Sequence, residues 1–454
     1  MQTSLRVCSC LYLAAIAALG AAQVRVATYN ISNYAGDMQP QIQTAMFSSF
    51  SGRSMKPDLL VCQEILSSTA LNNLVSAMNA APGSPGDYAA APFVDGPDTD
   101  SGFVYRTSLF QLLATVTVAV GGNSPNHPRN IMRYDIRLKD YASDGGTLSL
   151  YSSHMKSGTT QSDIDRRLLE GQRIRANAAT LPRPFLLGGD FNIQSSSDLA
   201  YVELVGSQAN NQGRHFDPIA TPGNWNNNAS FRFVHTQDPI GPGGMDDRFD
   251  FILLSNGLID GTGFDYIGNP SVPYSTTTWN DPNHSYRTWG NDGSSFNTAL
   301  AVSSNTMVGP DISQALIDLA RGAGHLPVFI DLKVPPEVDS PTIVDLGTVR
   351  QGSTHARLVP VSNAGLTSRW GANGVANLLY SLSTTGPFSA PGGQFSAAAG
   401  TTNRHLLVLD ASTTGLKTGT MTVQSNAPDE PARVIQLRAN VVRFSLGGGN
   451  GGGD

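Results

Sequence analysis

The sequence predicts an α/β domain followed by an all-β sandwich, and three observations carry that reading. The chain has 454 residues, and single hydrophobic cores stop growing near ~250–300 residues. Residues 23–334 alternate apolar runs with polar stretches of helical spacing. Residues 341–443 instead carry short period-2 runs, such as Leu406-Leu407-Val408-Leu409 and Val434-Ile435-Gln436-Leu437, divided by Gly, Asn, Ser and Thr turns. With 47 Gly and 27 Pro, the composition favours strands and loops over long helices.

Taken in order, residues 1–22 read as a secretory signal. Arg6 precedes an apolar run from Leu11 to Leu19, and Gly20-Ala21-Ala22 supplies the small residues of a cleavage site after Ala22. That run is far shorter than the ~20 apolar residues of a spanning helix. The expected location is therefore secreted, periplasmic or on the cell surface. Cleavage would remove Cys8 and Cys10 and leave Cys62 alone, so the mature chain can form no internal disulfide. Within Leu59-Leu60-Val61-Cys62 that thiol is expected to be buried and inert. The net charge of −6 becomes −7 once Arg6 is gone. This excludes a broadly basic nucleic-acid-coating protein, although a bound cation and a few local Arg or Lys could still serve a nuclease site.

In residues 23–334 the apolar strands each end or begin on a residue able to bind metal or phosphate. The run from Val24 leads into Asn30, that from Asp58 into Gln63 and Glu64, that from Leu148 into His154 and Lys156, and that from Phe185 into Asp190, Phe191 and Asn192. Two later runs have the opposite polarity, Asp250 before Phe251-Ile252-Leu253-Leu254 and His325 before Leu326-Pro327-Val328. Antiparallel neighbours would bring all of these residues to one edge. A single Asn or Asp there is more often a turn former or cap; the set together points to a site.

The chemistry of the set is coherent. Mg²⁺ takes hard oxygen ligands from one or two carboxylates, keeps waters and completes its shell with substrate phosphate. Glu64 is the candidate carboxylate ligand, oriented by Asn30. Asp190 and Asn192 fall on one face of an extended segment and can address one phosphate and its attacking water. His325, with its tautomer set by Asp250, suits proton acceptance from that water, and His154 suits donation to a phosphoryl oxygen.

The ordered series Tyr29-Asn30, Gln63-Glu64, Ser153-His154-Met155-Lys156-Ser157, Gly189-Asp190-Phe191-Asn192, Asp247-Arg248-Phe249-Asp250 and Gly324-His325-Leu326-Pro327 resembles the motif set of the deoxyribonuclease-I-like endonuclease/exonuclease/phosphatase superfamily. The resemblance covers essentially all of residues 23–334. It implies a four-layer α/β sandwich with two central mixed sheets, and metal-assisted in-line attack of water on phosphorus. It also implies Asn30 and Glu64 as metal-site residues, with Mg²⁺ or Mn²⁺ as the ion and Ca²⁺ a further candidate. His154 and His325 would be the catalytic pair, Asp190 and Asn192 the water and phosphate positioners, and Asp250 the partner of His325. Arg106, in Phe103-Val104-Tyr105-Arg106, and Lys156 are candidate substrate-binding residues.

One departure stands out. Members of that superfamily usually carry Asp before the final histidine, and this chain has Ala323-Gly324 there. Metal affinity is expected to fall or the ion to shift toward Glu64, with Asp311 or Asp292 as candidate substitutes. Arg166, Arg167, Arg173 and Arg175, in a helix expected over 163–181, read as a solvated face paired by Glu170 rather than a nucleic-acid contact. The aromatics Trp225, Tyr274, Trp279, Tyr286 and Trp289 read as loops folded on their own side chains rather than a base-stacking platform.

Pro335-Pro336-Glu337 reads as a linker over 335–340. Asp345-Leu346-Gly347-Thr348-Val349 and Ser425-Asn426-Ala427-Pro428 within 341–443 resemble the immunoglobulin-like modules at the ends of exported bacterial proteins. Residues 444–454 read as a flexible Gly-rich tail. The leading functional expectation is a secreted, metal-dependent phosphodiesterase acting on nucleic acid. A phospholipid headgroup is the alternative substrate, and a non-catalytic surface-binding protein is the alternative of another class.

Overall fold

The computed structural model describes residues 23–444 apart from 143, 242 and 323. The signal segment with Cys8 and Cys10, Ala323, and the Gly-rich tail from 445 onward lie outside the described residues. Among the described residues no helix is long and apolar enough to cross a membrane.

Two mixed sheets form the first domain. One contains β1 (Val24–Tyr34), β2 (Leu59–Ile65), β3 (Tyr88–Ala90), β4 (Asp100–Arg106), β11 (Asp265–Tyr266), β12 (Arg287–Thr288) and β13 (Val328–Lys333). In it β1 runs parallel to β2 and antiparallel to β13. The other is ordered β5 (Phe110–Ala119), β6 (Ile131–Leu138), β7 (Thr147–His154), β8 (Phe185–Asp190), β10 (Asp250–Ser255) and β9 (His215–Phe216), with β7 parallel to β8 and β8 antiparallel to β10. The central strands β7, β8 and β10 are buried at every position. That burial explains why they read as continuous apolar runs rather than alternating ones.

The sheets pack face to face through Val24, Val26 and Val61 on one side and Leu150 and Leu186 on the other. Gly188 permits the approach, because a Cβ there would stand 3.0 Å from both Thr28 Cβ and Val61 Cγ2. A polar rung also crosses the gap: Thr28 Oγ1 donates to Gln63 Oε1 at 3.3 Å, and Gln63 Nε2 donates to Ser152 Oγ at 3.0 Å. Helices cover both outer faces and give the four layers expected. On the first sheet lie α1 (Gln39–Phe47), α2 (Ser68–Ala80) and α5 (Gly309–Ala320), the last burying Ile312, Ala315, Leu316 and Leu319 at helical spacing. On the second lie α3 (Gln161–Ala178) and α4 (Leu199–Val205). A capping box between Thr160 and Asp163 starts α3.

The remaining strands make two further sheets around their own core. One is ordered β14 (Val338–Asp339), β16 (His355–Asn363), β20 (Thr402–Leu409) and β18 (Phe388–Ser389). The other is ordered β15 (Ile343–Arg350), β22 (Ala432–Val442), β21 (Gly415–Ser425), β17 (Leu378–Thr384) and β19 (Gln394–Ala397). Strand β22 alternates buried Ile435, Leu437, Ala439 and Val441 with exposed neighbours, the pattern of a half-buried sheet. The stretch expected as a linker is instead tied down, since β14 pairs with β16 and Tyr141 donates its hydroxyl proton to the Pro335 carbonyl. Trp370, Val375 and Ala399 pack into the core of the first domain, and Ala142 N–H donates to Asp429 Oδ2 at 2.9 Å.

Candidate active site

Strand register gathers the candidate residues. His154 and Asp190 are partners across the parallel β7/β8 pair, and Asp190 and Asp250 are partners across the antiparallel β8/β10 pair. The three side chains thus share one row at a sheet edge. Asn30 and Glu64 arrive at the same edge from the facing sheet. His325 stands three residues before β13 and is held by a bridge to Gln237 and by Leu326 N–H donating to Thr236 O at 2.8 Å. Thr236 had no signal in the sequence, yet its Oγ1 also accepts the Phe249 and Asp250 N–H groups at 3.1 Å each. Thr236 therefore ties down both halves of the His325/Asp250 pair, Asp250 through its hydroxyl and the chain after His325 through its carbonyl.

The contacts are specific. Asn30 Nδ2 donates to Glu64 Oε1 and to Asp190 Oδ2, both at 3.0 Å, while Asn30 Oδ1 accepts Ser32 N–H at 3.0 Å. Glu64 adopts a left-handed backbone, φ 61°, a strained choice for a residue with a Cβ, and its Oε2 accepts Asn33 N–H at 2.8 Å. Asn192 is also left-handed, φ 52°; its N–H donates to Asp190 Oδ1 at 3.0 Å and its Nδ2 to Met155 O at 3.1 Å. His325 Nδ1 lies 2.7 Å from Asp250 Oδ2, and its Nε2 lies 3.6 Å from Asp190 Oδ2. His154 Nε2 approaches the same Asp190 oxygen at 3.2 Å.

Burial and neighbouring charge set the protonation states. Burial pulls the His325 pKa down, but Asp250 and Asp190 outweigh it and raise it to about 10. Burial, with Arg129 and His325 adding to it, holds His154 well below the usual imidazole range and therefore neutral. Burial pushes the Asp190 carboxyl up against the opposing pull of His325 and Asn30. The two imidazoles are thus pushed in opposite directions within one site. Asp250 and Asp190 favour the charged form of the His325 ring, whereas burial disfavours it at His154.

The donor set fits a divalent cation at the Glu64 side. Glu64, His154 and Asp190 offer ligand atoms within 4.8 Å of one another, and His154 Nδ1 is buried with no hydrogen-bond partner. Glu64 is the part of this group open to solvent, as an ion that keeps waters requires.

Other candidates fall elsewhere. Strand β4 runs antiparallel to β2, so Asp100 lies at the site edge and Arg106 at the opposite one, where it pairs with Asp58 at 3.2 Å and Asp87 at 2.9 Å. Arg106 is therefore withdrawn as a substrate contact. Lys156 lies near the site but pairs with Asp163 at 3.0 Å. Asp292 braces its own loop by accepting from Ser294 and Thr306, and Asp311 is exposed on α5, so neither replaces a carboxylate at position 324. Helix α3 ends at Ala178 and its arginines are not a solvated face: Arg167 is buried against Asp198 at 2.8 Å, Arg175 donates to loop carbonyls, and Arg166 and Arg173 hold the loop at 122–127. Glu170 is buried and accepts Lys156 N–H at 3.1 Å instead of pairing along the helix. Trp225, Tyr274, Tyr286 and Trp289 are buried as expected. Cys62 is fully buried with its pKa pushed up by that burial.

Beneath Asp250, Arg248 is fully buried and clamps Asp217 with two bonds at 2.7 and 3.0 Å, its guanidinium 4.8 Å from the Phe251 ring centre. This pair escaped the sequence reading because Asp217 sits in an irregular loop with no motif around it.

No protein-family model and no curated protein matches the sequence. Among solved structures, the chain is similar to a humanized D. rerio TDP2 at 14% identity and TM-score 0.40, over 69% of this chain and 99% of that one. It is similar to an endonuclease/exonuclease/phosphatase family protein from Bacteroides thetaiotaomicron at 16% identity and TM-score 0.38, over 68% and 94%. A mannosyl-6-phosphatase from the same organism is similar at 16% identity and TM-score 0.39, over 68% and 99%.

Proposed function

We propose that this chain is a divalent-metal-dependent phosphoester hydrolase, and specifically an exported phosphodiesterase that cleaves nucleic acid. The observation that carries the chemistry is the convergence on Asp190 of both imidazoles and the Asn30 amide, with Glu64 at the open side and Asp250 behind His325. Glu64, oriented by Asn30, would hold Mg²⁺ or Mn²⁺; when bound, the ion neutralises phosphate charge and polarises the phosphoryl oxygen. Asn192 and Asp190 orient the attacking water, and Asp190 accepts its proton as the water oxygen bonds to phosphorus and the ester P–O bond breaks. The imidazolium of His325 and the neutral ring of His154 donate to the phosphoryl oxygens, where negative charge grows in the transition state.

Beside Asn192 and Phe249 a cleft of about 570 Å³ lined by Ser157, Thr159, Gln194 and Ser197 offers room for the substrate's alcohol portion. The export reading rests on residues 1–22, and the immunoglobulin-like reading of the C-terminal sheets on their strand pattern.

The test is nicking of supercoiled plasmid by the mature protein in Mg²⁺ or Mn²⁺, with EDTA, His325→Ala and Asp190→Ala as controls. Cleavage lost in all three supports the proposal. Phospholipid hydrolysis without nicking would replace nucleic acid by a lipid headgroup. No hydrolysis of either would leave a non-catalytic binding protein.

A further inference from the structure

On the helix-covered face of the first sheet, at the end away from the reaction centre, a second cleft of about 350 Å³ is lined by Arg25, Arg53, Trp279, Arg287 and Phe329. Arg25 and Asn30 are five residues apart on one extended strand, about 16 Å. The two sites are therefore separate.

The charges in this cleft do not cancel. Arg25 is matched by Asp331, with Nε at 2.7 Å from Oδ1 and Nη2 at 3.0 Å from Oδ2. Arg53 donates only to backbone, Nε to Met307 O at 3.1 Å and Nη2 to Thr306 O at 2.9 Å. Arg287 donates to the carbonyls of His284 and Tyr286 at 2.7 Å, to Asp281 O at 3.0 Å and to the Asn280 side chain at 3.2 Å. Among the described residues neither Arg53 nor Arg287 makes an ion pair with a carboxylate. Two fixed guanidinium charges thus face one cleft in a chain of net charge −6, a local reversal of sign.

An aromatic wall completes the cleft. The Arg53 guanidinium lies 5.0 Å from the Trp279 ring centre, and the indole N–H is anchored to Thr306 Oγ1 at 3.1 Å. Trp279 is partly exposed, whereas Trp225, Trp289 and Trp370 are buried. Arg53 uses only Nε and Nη2 in its backbone bonds, which leaves Nη1 to donate to a phosphate, while Arg287, its Nη groups held by protein oxygens, supplies fixed charge and its Nε–H; an indole face stacks on a planar ring.

We propose that this cleft binds a planar organic phosphate of the nucleotide type, either a free nucleotide or a nucleotide unit of a single strand. The site is independent of the hydrolase reading and needs no metal. Its test is titration of the full chain in EDTA with adenosine 5′-monophosphate, inorganic phosphate and adenosine, followed by calorimetry and by quenching of tryptophan fluorescence, with Trp279→Phe showing which ring responds. Saturable binding of the monophosphate, tighter than either fragment, is expected. Arg53→Gln and Arg287→Gln should each weaken it by about tenfold or more. Arg53→Lys should recover part of the loss, and Asp190→Ala should change nothing.

Because Arg53 also holds the 306–307 loop, circular dichroism must show each variant folded, and Arg287→Gln provides the reading that does not touch that loop. A short oligodeoxynucleotide binding more tightly than the monophosphate, with the same arginine dependence, identifies a strand as the source; equal binding identifies a free nucleotide. Absence of saturable binding by the folded chain, binding that survives both glutamine variants, or binding lost in Asp190→Ala would overturn the proposal.

Discussion

The backbone at Gly324 passes so close to the end of α5 that a Cβ placed there would stand 2.1 Å from the Ala320 carbonyl oxygen and 2.3 Å from its Cα. No side chain fits at this position without a backbone shift, so the carboxylate that the sequence resemblance would place before His325 has no room here. Gly324→Asp is therefore expected to fail as a restoration. It should destabilise the fold by about 1–3 kcal/mol, the range for inserting atoms into a closed space, and should lower activity. Urea denaturation and plasmid nicking read the two effects. A Gly324→Asp protein as stable as the parent and more active would show that the loop yields easily.

The His325/Asp250 pair should behave as one unit. Asp250→Asn keeps the side-chain volume and the backbone bond to Thr236 but removes the charge that holds the imidazolium. A fall in kcat of about 10²–10⁴ is expected, as for loss of one acid–base group. His325→Ala should cost about as much, and the double variant little more than either single one. Losses that multiply in the double variant would place the two residues in separate roles.

Asn30 touches Glu64 and Asp190 through one amide group, so its effect should be read in metal dependence. Asn30→Ala is expected to raise the Mg²⁺ or Mn²⁺ concentration for half-maximal activity by about 10–100-fold, the usual consequence of losing a group that orients a ligand. Saturating metal should recover most of kcat. An unchanged metal requirement would remove Asn30 from the metal site.

Glu170, which braces the chain just after His154 through the Lys156 N–H, gives a pH test of stability. Burial raises its pKa to about 8, against opposing pulls from Lys156 N–H, Arg129 and Arg167. Between the ordinary carboxyl value, near 4.5, and about 8 the folded chain keeps a proton that the unfolded chain has lost, so this group lowers stability as pH rises through that window. Glu170→Gln removes the effect. The stability difference between variant and parent should move in favour of the variant by about 1.4 kcal/mol per pH unit across the window. Parallel stability–pH curves would show that Glu170 is charged in the folded state.

Much of the site was legible in the chain itself. Strand ends that place Asn30, Glu64, His154 and Asp190 after apolar runs, and Asp250 and His325 before them, determined both the presence of a polar rim and its members, because side-chain alternation and strand polarity are local properties. Burial of Cys62 was legible for the same reason, and Trp225, Tyr274, Tyr286 and Trp289 are buried as their apolar rings require, whereas Trp279 stays partly exposed. Only tertiary structure decided what those residues do to one another. Register across β7, β8 and β10 put His154, Asp190 and Asp250 in one row, and the resulting burial and charge push the His325 and His154 pKa values in opposite directions. It also sent Arg106 to the far edge by reversing β4, drew the α3 arginines into the interior, and produced both the Arg248/Asp217 brace and the Arg53/Arg287 cleft. Each of these depends on residues distant in sequence meeting at a few ångströms. No local pattern encodes that distance, because the free energy that sets it comes from desolvation and packing across elements rather than within them.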